Sequence, residues 1–128
     1  MLSNEEIKMR EPIWLALSEL WLDTELTEGD LNSIARVMAE SKYSLAELRD
    51  IYLYEVAPVV YLNQLSGAGA WAGFDREWLF GKIEEEVRSS GPARRFCHRV
   101  KKPLMTYATE EHWRALAEKV SEQRASAA

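Results

Sequence analysis

One cysteine and two histidines, Cys97, His98 and His112, are the side chains of this 128-residue sequence best suited to metal binding or nucleophilic chemistry. Cys97 and His98 are adjacent, whereas two ligands of one ion normally need intervening residues or a helical turn between them. A site built from Cys97 or His98 with His112 and Glu111 would have to draw its whole geometry from the fold. So would a Cys–His nucleophile pair, which no local signature supports. A lone cysteine in a helical domain usually serves as a small buried apolar residue. The sequence therefore predicts no catalytic residue, no metal and no cofactor. A small enzyme or ligand carrier with a cleft near Cys97, His98 and His112 is the alternative.

The segment "SGAGAWAGFD", residues 66–75, poses the same question for phosphate chemistry. Gly67, Gly69 and Ala72 satisfy a loose G-x-G-x-x-[GA] pattern, in which glycines let the backbone approach a pyrophosphate at a helix N-terminus. That chemistry also needs a preceding strand and a following parallel strand, and nothing after Asp75 reads as one. Within the segment no lysine follows a glycine as a P-loop requires. The segment reads as packing: small residues let helices approach while Trp71 and Phe74 plug the core.

Two charged stretches remain. "DTELTEGD" gathers Asp23, Glu25, Glu28 and Asp30 but lacks the regular spacing and final glutamate of a calcium loop. It can instead form an electronegative patch that steers a basic partner. "ARRFCHRVKK" carries Arg94, Arg95, Arg99, Lys101 and Lys102 with Phe96 interleaved, a pattern able to track phosphates. The net charge of −5 opposes attraction to nucleic acid. The run can equally dock on a partner or on the chain's own acidic part.

The elements that must position these residues are helical. Ser3 with Glu6, and Ser44 with Glu47, are capping boxes, and Thr27 with Asp30 can cap a helix between them. Pro12 fits the first turn of a second helix or kinks one longer helix. That helix is apolar nearly all round, through Ile13, Trp14, Leu17, Leu20 and Trp21, as a central helix should be. Leu31, Ile34, Ala35 and Met38 recur at helical spacing, as do Leu45, Leu48, Tyr52 and Val56. Pro58 should end or kink the latter helix, and "PVVYLNQL" reads as helix or buried strand. Asp75 can cap a helix containing Trp78, Leu79, Ile83 and Val87. A short helix is expected before Pro103, and Thr109 can cap a last one with Trp113, Leu116 and Val120. Residues 122–128 should fray. The fold expected is all-α: one compact domain, residues 1–124, of six or seven short helices around an apolar central helix, with residues 125–128 as a frayed tail.

Length and composition agree. The chain suits one domain, and its five tryptophans and five tyrosines demand burial. No apolar run approaches the ~20 residues needed to cross a bilayer. The first residues do not resemble a secretory signal, and one unpaired cysteine suits a reducing compartment, so a cytoplasmic location is expected. Charge is uneven: −9 over residues 1–91 and +4 over residues 92–128.

"REPIWLALSELWLDTEL" (residues 10–26), "IARVMAESKYSLAEL" (34–48) and "EVAPVVYLNQLSGAGAWAGFDREWL" (55–79) together resemble a family of small bacterial proteins classed as a domain of unknown function. The likeness covers about residues 10–88 and implies a compact bacterial domain, with no catalytic residues to carry over. In its small, acidic, aromatic-rich character the chain also resembles immunity proteins, including those of type VI secretion systems, which cover a toxin's active surface. That likeness implies a cytoplasmic immunity protein that binds and neutralises an antibacterial toxin, such as a basic nuclease. Asp23, Glu25, Glu28, Asp30 and Trp71 are then the partner-binding residues, with the acids guiding approach and Trp71 as anchor. A self-associating helical scaffold is the remaining alternative.

Overall fold

Pro12 does not end the first helix. In the computed structural model, which describes residues 3–22, 26–65, 76–88 and 109–127, helix α1 runs unbroken from Asn4 to Leu22 with Pro12 inside it. The proline removes the N–H that would have bonded the Lys8 carbonyl. Both residues are exposed, so water can serve that carbonyl. The helix opens at Ser3, whose hydroxyl accepts the Glu6 N–H at 3.2 Å.

The two later capping boxes form as their sequences suggest. Thr27 accepts from the Asp30 N–H while Asp30 accepts from the Thr27 N–H, starting α2 (Glu28–Glu40). Ser44 and Glu47 exchange the same pair of bonds at the start of α3 (Leu45–Asp50). Two orphan donors are satisfied at each end, which is why both helices start where they do.

Beyond α3 the chain does something the sequence did not announce. Residues Ile51–Val56 form a π-helical segment and pass directly into α4 (Ala57–Leu65), so one continuous rod spans residues 45–65. Pro58 accounts for the wider turn. In a regular α-helix its ring would clash with the carbonyl four residues back, and its missing N–H would leave that carbonyl unbonded. A π turn shifts the register, and the Ala57 N–H reaches back to the Tyr52 carbonyl. The residues 58–65 that read as helix or strand are helical.

Helices α5 (Arg76–Arg88) and α6 (Glu110–Ala127) complete the described elements. The fold is all-α, and among the described residues there are five continuous rods where six or seven short helices were expected. Both prolines lie inside rods and terminate none; the short helix expected before Pro103 lies outside the described residues. α1 is central, packing against α2, the π segment, α4 and α5, while α2 lies along α6. Trp14, Leu17, Tyr52, Val56, Leu79, Ile83 and Leu116 are fully buried in one core. Tyr52 holds its middle: its ring stacks on Trp113 at 4.9 Å, tilts against Trp21 at 5.5 Å, and its hydroxyl meets that of Thr109 at 2.5 Å.

The last helix continues to Ala127, past the fraying expected over residues 122–128. Arg124 supplies the reason. Its guanidinium donates to the carbonyls of Met38, Ala39, Ser41 and Tyr43, at 2.6 to 3.3 Å. These carbonyls lie at the end of α2 and in the turn to α3, that of Met38 also accepting from Ser41, so one side chain closes that corner and anchors α6. R124A should lower the unfolding free energy by about 2–3 kcal/mol in a urea titration. R124K should recover only a minor part, because an ammonium cannot fan out to four acceptors.

Candidate functional site

A single acid, Glu55, interrupts the apolar run of residues 51–62. The π segment brings it against α1, where Arg10 and Trp14 stand one helical turn apart on the same face. The Arg10 guanidinium pairs with one Glu55 oxygen, and the Trp14 indole N–H donates to the other at 2.8 Å. Arg10 and Glu55 side chains are only 17% and 12% exposed, so neither could be left single without a large desolvation penalty. Both carboxylate oxygens are taken by donors. Glu55 therefore holds two helices together rather than moving a proton.

The cluster extends outward. Arg10 lies over the Tyr43 ring at 5.1 Å, and Tyr43 donates its hydroxyl to Glu6 at 2.9 Å. Lys42 donates to the other Glu6 oxygen at 2.6 Å. These bonds, that of Lys42 first, hold the Glu6 carboxyl below its ordinary 4.5 and raise the Lys42 ammonium. Tyr43 is raised by burial and by its bond to Glu6. The Arg10 Nε is buried without a hydrogen-bond partner and sits 3.8 Å from Glu6.

Beside this cluster opens a polar cavity of about 200 Å³, lined by Arg10, Glu47, Asp50, Ile51, Tyr54 and Glu55. The π segment supplies half of its wall, a setting in which such turns often occur for functional reasons. Glu47 is held ionised by the Ser44 backbone N–H, its largest influence, with nearby Arg10 acting in the same direction. A shallower groove between α2 and α6 is lined by Asn32, Arg36, Glu122, Gln123 and Ser126.

A third feature lies at the junction of α1 and α2. Glu19 has its carboxyl pKa raised above 4.5, first by partial burial and then by the negative charge of Asp30. Asp30 caps its own helix, and Glu28, though 81% exposed, pairs with Lys119 of α6 at 2.7 Å. Asp23, Glu25 and Trp71, the other proposed partner-binding residues, lie outside the described residues. So do Cys97, His98, the segment 66–75 and the basic run 94–102. His112 and Glu111 lie on α6, half-buried and exposed respectively. Among the described residues no group of three or more His, Cys, Asp or Glu is placed to hold a metal ion. No described helix is long and apolar enough to cross a membrane.

Sequence reasoning missed Arg10, Trp14, Glu55 and Glu19. For the first three a signal existed: a charge inside an apolar run must find a partner, and Arg10 sits four residues before the most deeply buried tryptophan-bearing turn of the central helix.

The model of one family, the domain of unknown function DUF7079, matches residues 8–119. The chain belongs to that family. No curated protein and no solved structure matches it. The DUF7079 match takes in α1 from Lys8 onward, so Arg10, Trp14, Glu55 and the whole cavity lining fall inside it. It also reaches through the segment 89–108 and the first half of α6, further than the 10–88 over which the resemblance was legible.

E55A should destabilise the chain by about 3–5 kcal/mol because it leaves the largely buried Arg10 charge with only its longer contact to Glu6. The double variant R10M/E55L should recover much of that loss in the same denaturant titration, since it removes both charges together. Stability should also fall in acid. The contributions of Glu6 and Glu47 are complete above their ordinary 4.5 and are lost as pH drops through their lowered values. E6Q should flatten that acid limb in a series of thermal melts, and an unchanged slope would refute the assignment.

Proposed function

We propose that this chain is a protein-binding domain with no catalytic role, whose acidic α1–α2 junction docks on a basic partner. The reading is supported by the net charge of −5 together with Glu19, whose carboxyl is raised first by partial burial and then by the charge of Asp30. Ionised Glu19 opposes folding: a carboxyl raised above its unfolded value binds its proton more tightly in the native state, so its contribution to stability is lost as pH rises past 4.5. Glu19 is no part of the apolar core. A cationic partner surface relieves the repulsion, and a binding site that costs stability in the free protein is a familiar compromise. The net charge of −5 adds long-range attraction to such a partner.

The partner class we favour is an antibacterial toxin, with the chain acting as its cytoplasmic immunity protein. An enzyme that grips phosphate carries a basic surface, and an acidic domain with fixed carboxylates can cover it. The support for this class is charge complementarity together with the resemblance noted above.

The test is to capture partners with the tagged chain in lysate of its native organism, and to measure binding to any basic protein recovered. E19K should slow association roughly tenfold at low salt and leave much less effect at high salt, as steering by exposed charge requires. E19Q should weaken binding while slightly raising the melting temperature at pH 7. A partner that is acidic, or one indifferent to E19K, would overturn the reading.

A further inference from the structure

The cavity at the π segment carries a more specific assignment, which rests on the protein-binding reading above. Its size comes first. At about 200 Å³ it falls below the ~300 Å³ at which pockets for nucleotides or drug-sized ligands begin. It fits the end of one long side chain.

Its charge comes next. Arg10 is committed to Glu55, and Glu55 has both oxygens engaged by Arg10 and Trp14. Apart from the Arg10 Nε–H, which is buried without a hydrogen-bond partner, what the lining still offers is the carboxylate acceptors of the exposed residues Glu47 and Asp50. Glu47 uses one oxygen to cap Ser44 and keeps the other. Asp50 precedes the π segment without capping it, and no hydrogen bond or ion pair engages its carboxylate among the described residues. Counting Arg10 against Glu47, Asp50 and Glu55, the lining is net acidic. These carboxylates are not grouped to hold a metal ion. Acceptors spread around a cavity instead suit a cation whose own charge is spread over several donors, as in a guanidinium. Ile51 gives an apolar wall for methylene groups, and Tyr54 an aromatic one for the cation.

We propose that this cavity receives the guanidinium of an arginine side chain presented by the partner protein. Asp50 and Glu47 accept its N–H groups, and the Arg10–Glu55 pair forms the fixed back wall. The site thus supplies a specific anchor, while the Glu19–Asp30 junction supplies attraction.

The test titrates the isotope-labelled full chain with N-acetyl-arginine amide. The Trp14 indole N–H, which is bonded to Glu55, is the reporter resonance. A saturable shift is expected with the arginine derivative and none with N-acetyl-citrulline amide, its neutral counterpart. D50N and E47Q should each weaken the arginine titration about tenfold, the loss of one charge-assisted hydrogen bond. Glutamine still serves at the third position of a capping box, so E47Q should stay folded. Equal shifts from citrulline, or no saturable shift in the folded wild type, would overturn the assignment. So would a captured partner held by the D50N/E47Q chain as tightly as by the wild type. That last outcome leaves the protein-binding reading intact, which only indifference to E19K, or an acidic partner, removes.

Discussion

The ion pair between Arg10 and Glu55, with Trp14 as its second donor, is the constraint around which the molecule is arranged. Burying two opposite charges brings little net stability, because each must be stripped of water before it can attract the other. The consequence is selective instead. Any packing of α1 against the rod of residues 45–65 that slips by one residue strands a charge in an apolar interior, at a cost of several kcal/mol. Apolar contacts between Trp14, Leu17, Tyr52 and Val56 would tolerate some sliding; the pair does not. It therefore fixes the register of the central helix, and with it the position of everything α1 touches.

That register depends in turn on Pro58. A chain of ordinary α-helical pitch from Leu45 to Leu65 would place Glu55 about 100° of rotation away per residue of mismatch from where it now stands. The π segment inserts the equivalent of one extra residue and rotates Tyr54 and Glu55 relative to α3. The proline that forces the wide turn thereby aims the acid at Arg10. The same widening sets Asp50 and Ile51 on one side of a hollow and Tyr54 and Glu55 on the other. Core packing, charge pairing and cavity have one local cause.

Much of this framework is legible in the sequence, and the reasons separate cleanly. Capping boxes are local: Ser44 and Glu47, or Thr27 and Asp30, need only each other, so their residue types suffice to place a helix start. The apolar faces of α2 and α6 are likewise periodic and were readable. The prolines left two outcomes open, a helix end or a longer helix carrying the proline, because their effect depends on surroundings. Pro12 lies where water can serve the freed Lys8 carbonyl, and Pro58 lies where a π turn absorbs the clash. The end of α6 was missed because its anchor is distant: Arg124 is more than eighty residues from the carbonyls it holds. The cavity failed to show for the same reason, since Arg10 and Glu55 are 45 residues apart. The acidic turn was recognised as charge, but two of its members proved partly occupied, Asp30 with its own cap and Glu28 with Lys119.

The molecule thus treats charge in two opposite ways. Around Arg10, carboxylates are matched: Glu6 to Lys42 and Tyr43, Glu55 to Arg10 and Trp14, Glu47 to its helix start. Asp30 is likewise matched to its helix start, whereas Glu19 at the α1–α2 junction is raised by burial and then by the charge of Asp30, and at the cavity rim Asp50 stands unmatched. Matched charges define the fold, because moving either partner exposes the other to a desolvation penalty. Unmatched ones add nothing to it and reduce its stability where they repel. Unmatched charges of the other sign occur among the described residues too, Arg36 and Arg114 for example, so it is its place beside the cavity rather than its sign that marks Asp50 out.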